Sequence, residues 1–552
     1  MEFEINRINA RKLMERGIKV SVSSLKNLIQ NTLSDFPNNI LMEDIHSSWT
    51  GEQLQAHLPS IIKRINQQTL AGSRVGICFH NSASQGLAIL ATHLSDRIPV
   101  MINSVDLVEG KIDWIRKAKL NFVITSEELA ELIKVPHLVL TDKGMEKELV
   151  GKTSILAELD QVLFMPPKGT GVVLFTSGST GEPKEVYVPE KGILKSLIEL
   201  KLKFDLSEKT VSSIILPVCH SMALNTQFYP TFVNGGKSRF YNIRLSMNKV
   251  FRNLLSDNVT FVSMIGEIVR TCWEEKTHRN LPPCEKVTHV QLAGGMISQK
   301  HLDMTRDLFP DAVIFKGYGL TEAIRVTMIS SLENQFHSSA VGKPMPFLNI
   351  EIRNEKGERL PAGQQGEIFV KGDSVMLGLR SLSSMEMRIV EPNLFMPTGD
   401  LGLIDQDGYL HVTGRLDSLF KINGKRVAGA EIEKMALESS TQFRFAKAIL
   451  VVDEDDGRSR VVLFIELDRA SWKDGSLSLD RETQHLLWQR MKLLTVPPKE
   501  IIFTPHIPRT SNGKLNLPAL KRIWSIQTML QPVEKKIPVN LNLFSINEVV
   551  FL

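Results

Sequence analysis

Short apolar runs alternate with helix-length amphipathic stretches along the first part of the chain. From 73 to 102, "SRVGICFHNSASQGLAILATHLSDRIPVMI" reads as strand, turn, helix and strand. "NFVITS" and "HLVLTD" are further short apolar strands, set among helical patterns such as "VEGKIDWIRKAK". The alternation resumes at "VSSIILPV", "VTFVSMI", "VTHVQLAGG" and "AVIFKGYG", each a buried-strand pattern that ends in Gly, Pro or polar residues. Strands alternating with helices predict a parallel α/β sheet. The pattern changes after about 340. "LNIEIRNEKGERLPAGQQGEIFVKG" predicts β-hairpins around Gly357, Gly363 and Gly366, and "LGLIDQDGYLHVTGR" predicts another that turns at Asp407-Gly408. Beyond Arg415 helix and strand mix again for about a hundred residues, and 526–552 has no clear periodicity.

At 552 residues the chain is too long for one ordinary core, so at least two domains are expected. Its 42% hydrophobic and 23% charged residues are ordinary for a soluble globular protein. The net charge of +5 is small, and no dense Lys/Arg run with interleaved aromatics occurs, which argues against nucleic-acid binding. Cys78, Cys219, Cys272 and Cys284 form no CxxC pair, so neither a zinc site nor a disulfide framework is expected. A reduced, cytoplasmic setting fits that usage. The opening "MEFEINRINARKLMERG" has no apolar core of a signal peptide, and no apolar run approaches the ~18 residues of a membrane span.

Chemistry enters with "LFTSGSTGEPKEVYV", 174–188. A Gly-rich loop lets backbone N–H groups converge on a phosphate. Thr176, Ser177, Ser179 and Thr180 would add hydroxyl donors, Gly178 and Gly181 a close approach, and Lys184 a positive charge. The pattern GxxxxGK[ST] is not met, because Gly181 is followed by Glu182-Pro183-Lys184 and "KEVYV" reads as a strand where that motif needs a helix. Taken alone, the stretch also admits the reading of a flexible polar turn in a hairpin. It resembles the phosphate-binding signature of the adenylate-forming superfamily, which includes acyl-CoA synthetases, peptide-synthetase adenylation domains and luciferases. Four further stretches match that superfamily in order: "GYGLTEA" at 317–323, "TGDLGLIDQDGYLHVTGRLD" at 398–417, "FKINGKRVAGAEIE" at 420–433 and "PRTSNGKLN" at 508–516.

The resemblance implies an α/β fold: a large N-terminal domain of α/β sheets with a β-rich subdomain, and a small mobile C-terminal α+β domain. It places them at 1–415, with the β-rich part at about 340–415, and at 416–525, followed by a tail whose order the sequence leaves open. It implies two half-reactions. A carboxylate attacks the α-phosphate of ATP to give an acyl-adenylate and pyrophosphate, and a thiol, of coenzyme A or of a carrier-protein pantetheine, then takes the acyl group. Tyr318 would stack on adenine, with Gly319 beside it. Thr321 would donate to the α-phosphate, and Glu322 would hold Mg²⁺ through hard oxygen ligation. Asp400 would accept both ribose hydroxyls, and Arg415 would reach the ribose and phosphates. Asp417 would be the hinge. Lys514 would bridge the substrate carboxylate and the α-phosphate. Lys421 and Gly424 would face inward for thioester formation. Gly294 and Gly295, in "QLAGGM", would floor the site.

"ILPVCHSMALN" aligns with the stretch that lines the acyl pocket. His220 falls where many carboxylic-acid activators carry His, and Ser221, Met222, Ala223, Asn225 and Met264 are pocket candidates. No acidic residue occurs between 211 and 240 to pair a substrate ammonium, which argues against an amino acid. The expected activity is ATP-dependent acid activation with coenzyme A as acceptor. A stand-alone enzyme loading an acyl carrier protein is the alternative within the class, and a catalytically degenerate nucleotide-binding module the alternative outside it. Three departures stand out: Glu185 where Gly is usual, Ala223 where fatty-acid activators often carry Gly, and no Tyr in "MLGLRSL". Glu185, a negative charge beside a phosphate loop, is expected to turn its side chain to solvent.

Overall fold

The expected apolar strands form, because their runs suit positions covered on both faces. In the computed structural model the described residues are 24–530 apart from 109–114, 117, 152–163, 178–182, 243–248, 296, 338, 383, 385, 392, 417–418, 423–424, 453–458, 469–470, 474–475, 478, 495 and 510–514. "RVGICF" is the strand Arg74–Phe79, buried along its whole length. Ser82 caps the helix Ala83–Leu94 by accepting from Gln85 N at 3.3 Å, and the chain returns as the parallel strand Ile98–Asn103. The α/β class read from the sequence is the one observed. Two compact units divide the chain: Met1–Thr398 with Leu403–His411, and Gly399–Gly402 with Val412–Leu552.

Two large sheets dominate the first unit. Among the described residues one has nine strands, ordered Met387–Ile389, Gly378–Ser381, Pro183–Pro189, Thr170–Ser177, Ile98–Asn103, Arg74–Phe79, Val123–Ser126, His137–Leu140 and Glu146–Val150. Its centre is parallel, and the hairpin Thr170–Ser177/Pro183–Pro189 is antiparallel. In the second sheet Lys237–Phe240, Val211–Ile214, Phe261–Met264, His289–Leu292 and Val313–Tyr318 run parallel in that spatial order. The crossovers include the helices Gly266–Arg279 and Gln299–Leu308. Beyond Tyr318 the sheet continues antiparallel through Thr327–Ser330 and Ala340–Pro344. The predicted hairpin after 340 pairs Leu348–Arg353 with Gly366–Gly372. The second predicted turn is at Gly408, whose φ of +83° glycine alone adopts without strain.

The second unit is a three-stranded sheet, Phe443–Val452, Ser459–Leu467 and Glu500–Thr504, covered on both faces. Strand alternation divides its core. Val461, Leu463 and Ile465 pack with Ile432 and Ala436 of the helix Gly429–Leu437 and Leu487 of the helix Arg481–Met491. Val462 and Phe464 pack with Leu520 and Trp524 of the helix Leu517–Leu530. That helix runs five residues into the segment in which the sequence showed no periodicity.

Candidate active site

In a parallel sheet, loops leaving the carboxyl ends of the strands build the ligand site. Four neighbouring strands of the second sheet end at Ile214, Met264, Leu292 and Tyr318. His220 follows the first, Gly294 and Gly295 the third, and Tyr318 closes the fourth, so residues about a hundred apart in sequence share one sheet edge. Gly294 has φ +83°, and a Cβ there would lie 2.7 Å from Ile265 Cγ2, so glycine is needed for both reasons. Gly295 is exposed.

Asn81 holds the loop before His220, a role that sequence reasoning missed. Its Nδ2 donates to Leu216 O at 2.9 Å and to Ile214 O and Ile215 O at 3.3 Å, while its Oδ1 accepts from Val218 N at 3.0 Å. Only its place in "FHNSASQ", a polar residue two positions after a buried strand, hinted at it. His220 then occupies the N-cap position of the short helix Ser221–Ala223 without a side-chain capping bond, and Leu224–Phe228 follows as a π-helical turn, a form that recurs at functional sites. Asn225 Nδ2 donates to Ser221 Oγ at 3.2 Å, and its Oδ1 is buried with no hydrogen-bond partner. His220, Ser221 and Met222 are half-buried; Ala223, Asn225 and Met264 are fully buried.

The segment after Tyr318 is pinned through its backbone. Leu320 N donates to Ala323 O at 2.9 Å and Ala323 N to Leu320 O at 3.3 Å. Thr321 and Glu322 lie at the tip of this reciprocal turn with half-buried side chains. Val326 N donates to Tyr318 O and Met376 N to Glu322 O, both at 2.8 Å. A Cβ on Gly319 would come within 2.9 Å of Arg325 N, so glycine is what lets the turn close. Glu322 and Thr321 together offer hard oxygen donors of the kind Mg²⁺ takes.

The stretch that the resemblance implies as a phosphate loop is flanked by an antiparallel strand pair, Thr170–Ser177 and Pro183–Pro189. Lys184 is in register with Thr176 on one side and Ser381 on the other, and Ser177 faces Pro183. Gly178, Ser179, Thr180 and Gly181 lie outside the described residues. Glu185 corrects the expectation of a solvent-facing side chain: it is 0% exposed. Its Oε1 accepts from Arg74 Nη1 and its Oε2 from Arg380 Nε, each at 2.7 Å, and the Tyr187 hydroxyl donates to Oε2 at 2.7 Å. The reason is alternation. Glu185 and Tyr187 share the face of the strand opposite to Lys184, and that face is covered. Both guanidinium groups also lie over the Phe164 ring, at 6.0 and 5.0 Å. Burial pulls the Arg74 guanidinium below its usual range and pushes the Tyr187 phenol up.

In the second unit, Arg415 Nη1 donates to Asp400 Oδ1 at 2.9 Å. Asp400 is 5% exposed while Arg415 is exposed, so an anchored carboxylate meets a guanidinium open to solvent. Gly399, at φ +72°, passes close beneath, and a Cβ there would be 3.3 Å from Arg415 Nη2. Around Lys514 only the flanks are described. Arg509 and Leu515 bridge antiparallel, and Asn516 N donates to Pro508 O at 2.9 Å. Lys514, Asp417 and Gly424 lie outside the described residues, and Lys421 is placed only by its backbone, in the strand Leu419–Ile422.

The family model described as AMP-binding enzyme matches residues 29–379. Oxalate–CoA ligase of Arabidopsis thaliana is 22% identical over 89% of this chain and 97% of its own length. 2-Succinylbenzoate–CoA ligase of Bacillus subtilis is 26% identical over 69% of this chain and 77% of its own. Among solved structures, o-succinylbenzoate coenzyme A synthetase from Bacillus subtilis, in complex with ATP and magnesium ion, has the same fold. It superposes with a TM-score of 0.70 at 21% identity, covering 90% of this chain and 99% of that one.

Proposed function

This chain belongs to the family of AMP-binding enzymes, and from that we infer that it activates a non-amino carboxylic acid with ATP and passes the acyl group to coenzyme A. A carboxylate oxygen attacks the α-phosphorus, the bond to pyrophosphate breaks, and an acyl-adenylate remains. The thiol sulfur then attacks the acyl carbon, AMP leaves, and the thiol proton passes to solvent. The observation that carries this reading is the edge where His220, Gly294 and the Tyr318–Glu322 turn meet at the carboxyl ends of adjacent parallel strands.

In this reading the Tyr318 ring stacks on adenine, Thr321 donates to the α-phosphate, and Asp400, kept in place by Arg415, accepts the ribose hydroxyls. Mg²⁺ at Glu322 would neutralise phosphate charge that grows in the transition state. Lys184 helps hold pyrophosphate, and Lys514 closes over the reacting carboxylate. His220, Ser221 and Met222 are partly accessible in the acyl stretch and would face the acid. No helix among the described residues is long and apolar enough to cross a membrane. Mass detection of products from ATP, Mg²⁺ and an acid panel, with coenzyme A or a pantetheinylated carrier protein added, tests the reading. AMP and acyl-CoA are expected. Acyl-carrier protein without acyl-CoA would replace the acceptor, and no acid-dependent AMP would overturn the reading.

A further inference from the structure

Arg325 follows the Thr321–Glu322 turn and is 6% exposed. Its φ is +52°, a region that a long L side chain enters only where its surroundings fix it. With the Gln291 amide oriented so that its oxygen and nitrogen both find partners, the oxygen accepts from Arg325 Nη1 and Nη2, each at 2.8 Å. The Gln291 nitrogen then donates to Ser263 Oγ at 3.3 Å. Arg325 Nε is buried with no hydrogen-bond partner. Two other buried arginines, Arg74 and Arg380, are compensated by sharing Glu185. Among the described residues no carboxylate pairs with Arg325, and burial alone lowers its guanidinium to about 9.

An isolated buried cation is costly unless an anion completes it. Position says where that anion would come from. A Cβ on Gly317 would lie 3.4 Å from Arg325 Nη1, which puts the guanidinium against the strand end that carries Tyr318. Its partner Gln291 is three residues before Gly294, about 10 Å at the rise of a strand. Ser263, next in the chain of bonds, precedes Met264. The guanidinium therefore sits within a short acid's length of the edge at which activation would occur, with the Nε–Nη side of its fork unused.

We propose that Arg325 receives a second carboxylate on the acid being activated, so that the substrate is a short dicarboxylic acid. This rests on the acid-activation reading above. The near carboxylate attacks the α-phosphorus; the far one takes two parallel N–H···O bonds from Nε and one Nη and does not react. Gln291, held by Ser263, is a positioning residue for the guanidinium.

The test measures acyl-adenylate formation, trapped as hydroxamate, for straight-chain dicarboxylates and for monocarboxylates of equal length. The wild type is expected to favour the dicarboxylate by about 10²-fold or more in kcat/KM, since a site built for a polar group rejects an analogue that lacks it. Arg325→Gln is expected to abolish that preference and Arg325→Lys to restore part of it, with ATP binding by calorimetry as the check on folding. If either variant does not fold, the wild-type comparison decides alone. Monocarboxylates activated as well as dicarboxylates would overturn the second-carboxylate site and leave acid activation standing. An equal loss of both acids in a folded Arg325→Gln would also overturn it, as a purely structural role. Activation of no acid at all would overturn both readings.

Discussion

Glu185→Gln should destabilise the first unit far more than a change of one atom suggests. The carboxylate is fully buried and takes three bonds of 2.7 Å, two from guanidinium groups. Glutamine keeps the shape but has one acceptor atom and no charge. Two cations, 7% and 2% exposed, would then face each other with no anion between them. Breaking a buried ion pair by removing one partner costs about 3–5 kcal/mol. With an unfolding entropy near 2 cal/mol/K per residue, a unit of about 400 residues loses about 1.2 °C per kcal/mol, so Tm should fall by about 4–6 °C. Calorimetry that resolves the two units is the assay, because a single transition cannot be assumed. The triple change Arg74→Met, Glu185→Leu, Arg380→Met should recover most of the loss, since apolar residues of similar size replace such clusters at little cost. A fall below about 1 °C for Glu185→Gln would refute the reasoning, because it would mean that the arginines do not depend on this carboxylate.

Lys514→Ala should abolish adenylate formation yet spare thioester formation from a preformed adenylate; stopped-flow assay of each half-reaction checks this, and equal loss of both would remove the assigned role. Asp400→Asn should raise the KM for ATP about 10–100-fold, the worth of a charge-assisted hydrogen bond, with a smaller effect on kcat. Urea unfolding against pH should find stability falling between pH 6.5 and about 4, because burial lowers the folded pKa of His93 to about 4 and the unfolded chain binds the proton first. His93 is 7% exposed, with Nε2 2.7 Å from the Tyr229 hydroxyl, and should contribute about 3 kcal/mol to that slope; His93→Gln should flatten it.

The parallel sheets were legible because continuous apolar runs of strand length have few other uses, as "RVGICF" and "VTFVSMI" illustrate. The hairpins were legible through Gly357, Gly363 and Gly408, which all take positive φ. The Asp400–Arg415 contact follows from a hairpin that returns the chain over fifteen residues, and motif resemblance singled the pair out. Glu185 misled because alternation tells which residues share a face but not whether that face is covered. Its partners lie 111 and 195 residues away. Arg325 was unreadable for a related reason: an arginine near a motif reads as solvated until burial and the lack of a carboxylate are known together. Asn81 serves a loop more than 130 residues on, a distance over which local pattern is silent.

The most direct test of acid activation is acid-dependent exchange of labelled pyrophosphate into ATP, run without a thiol across mono- and dicarboxylic acids. The account predicts exchange that requires both Mg²⁺ and a carboxylic acid, is strongest with a short dicarboxylate, and is lost in Lys514→Ala. Binding of ATP with no exchange from any acid would contradict it, and would leave a nucleotide-binding module in place of an enzyme.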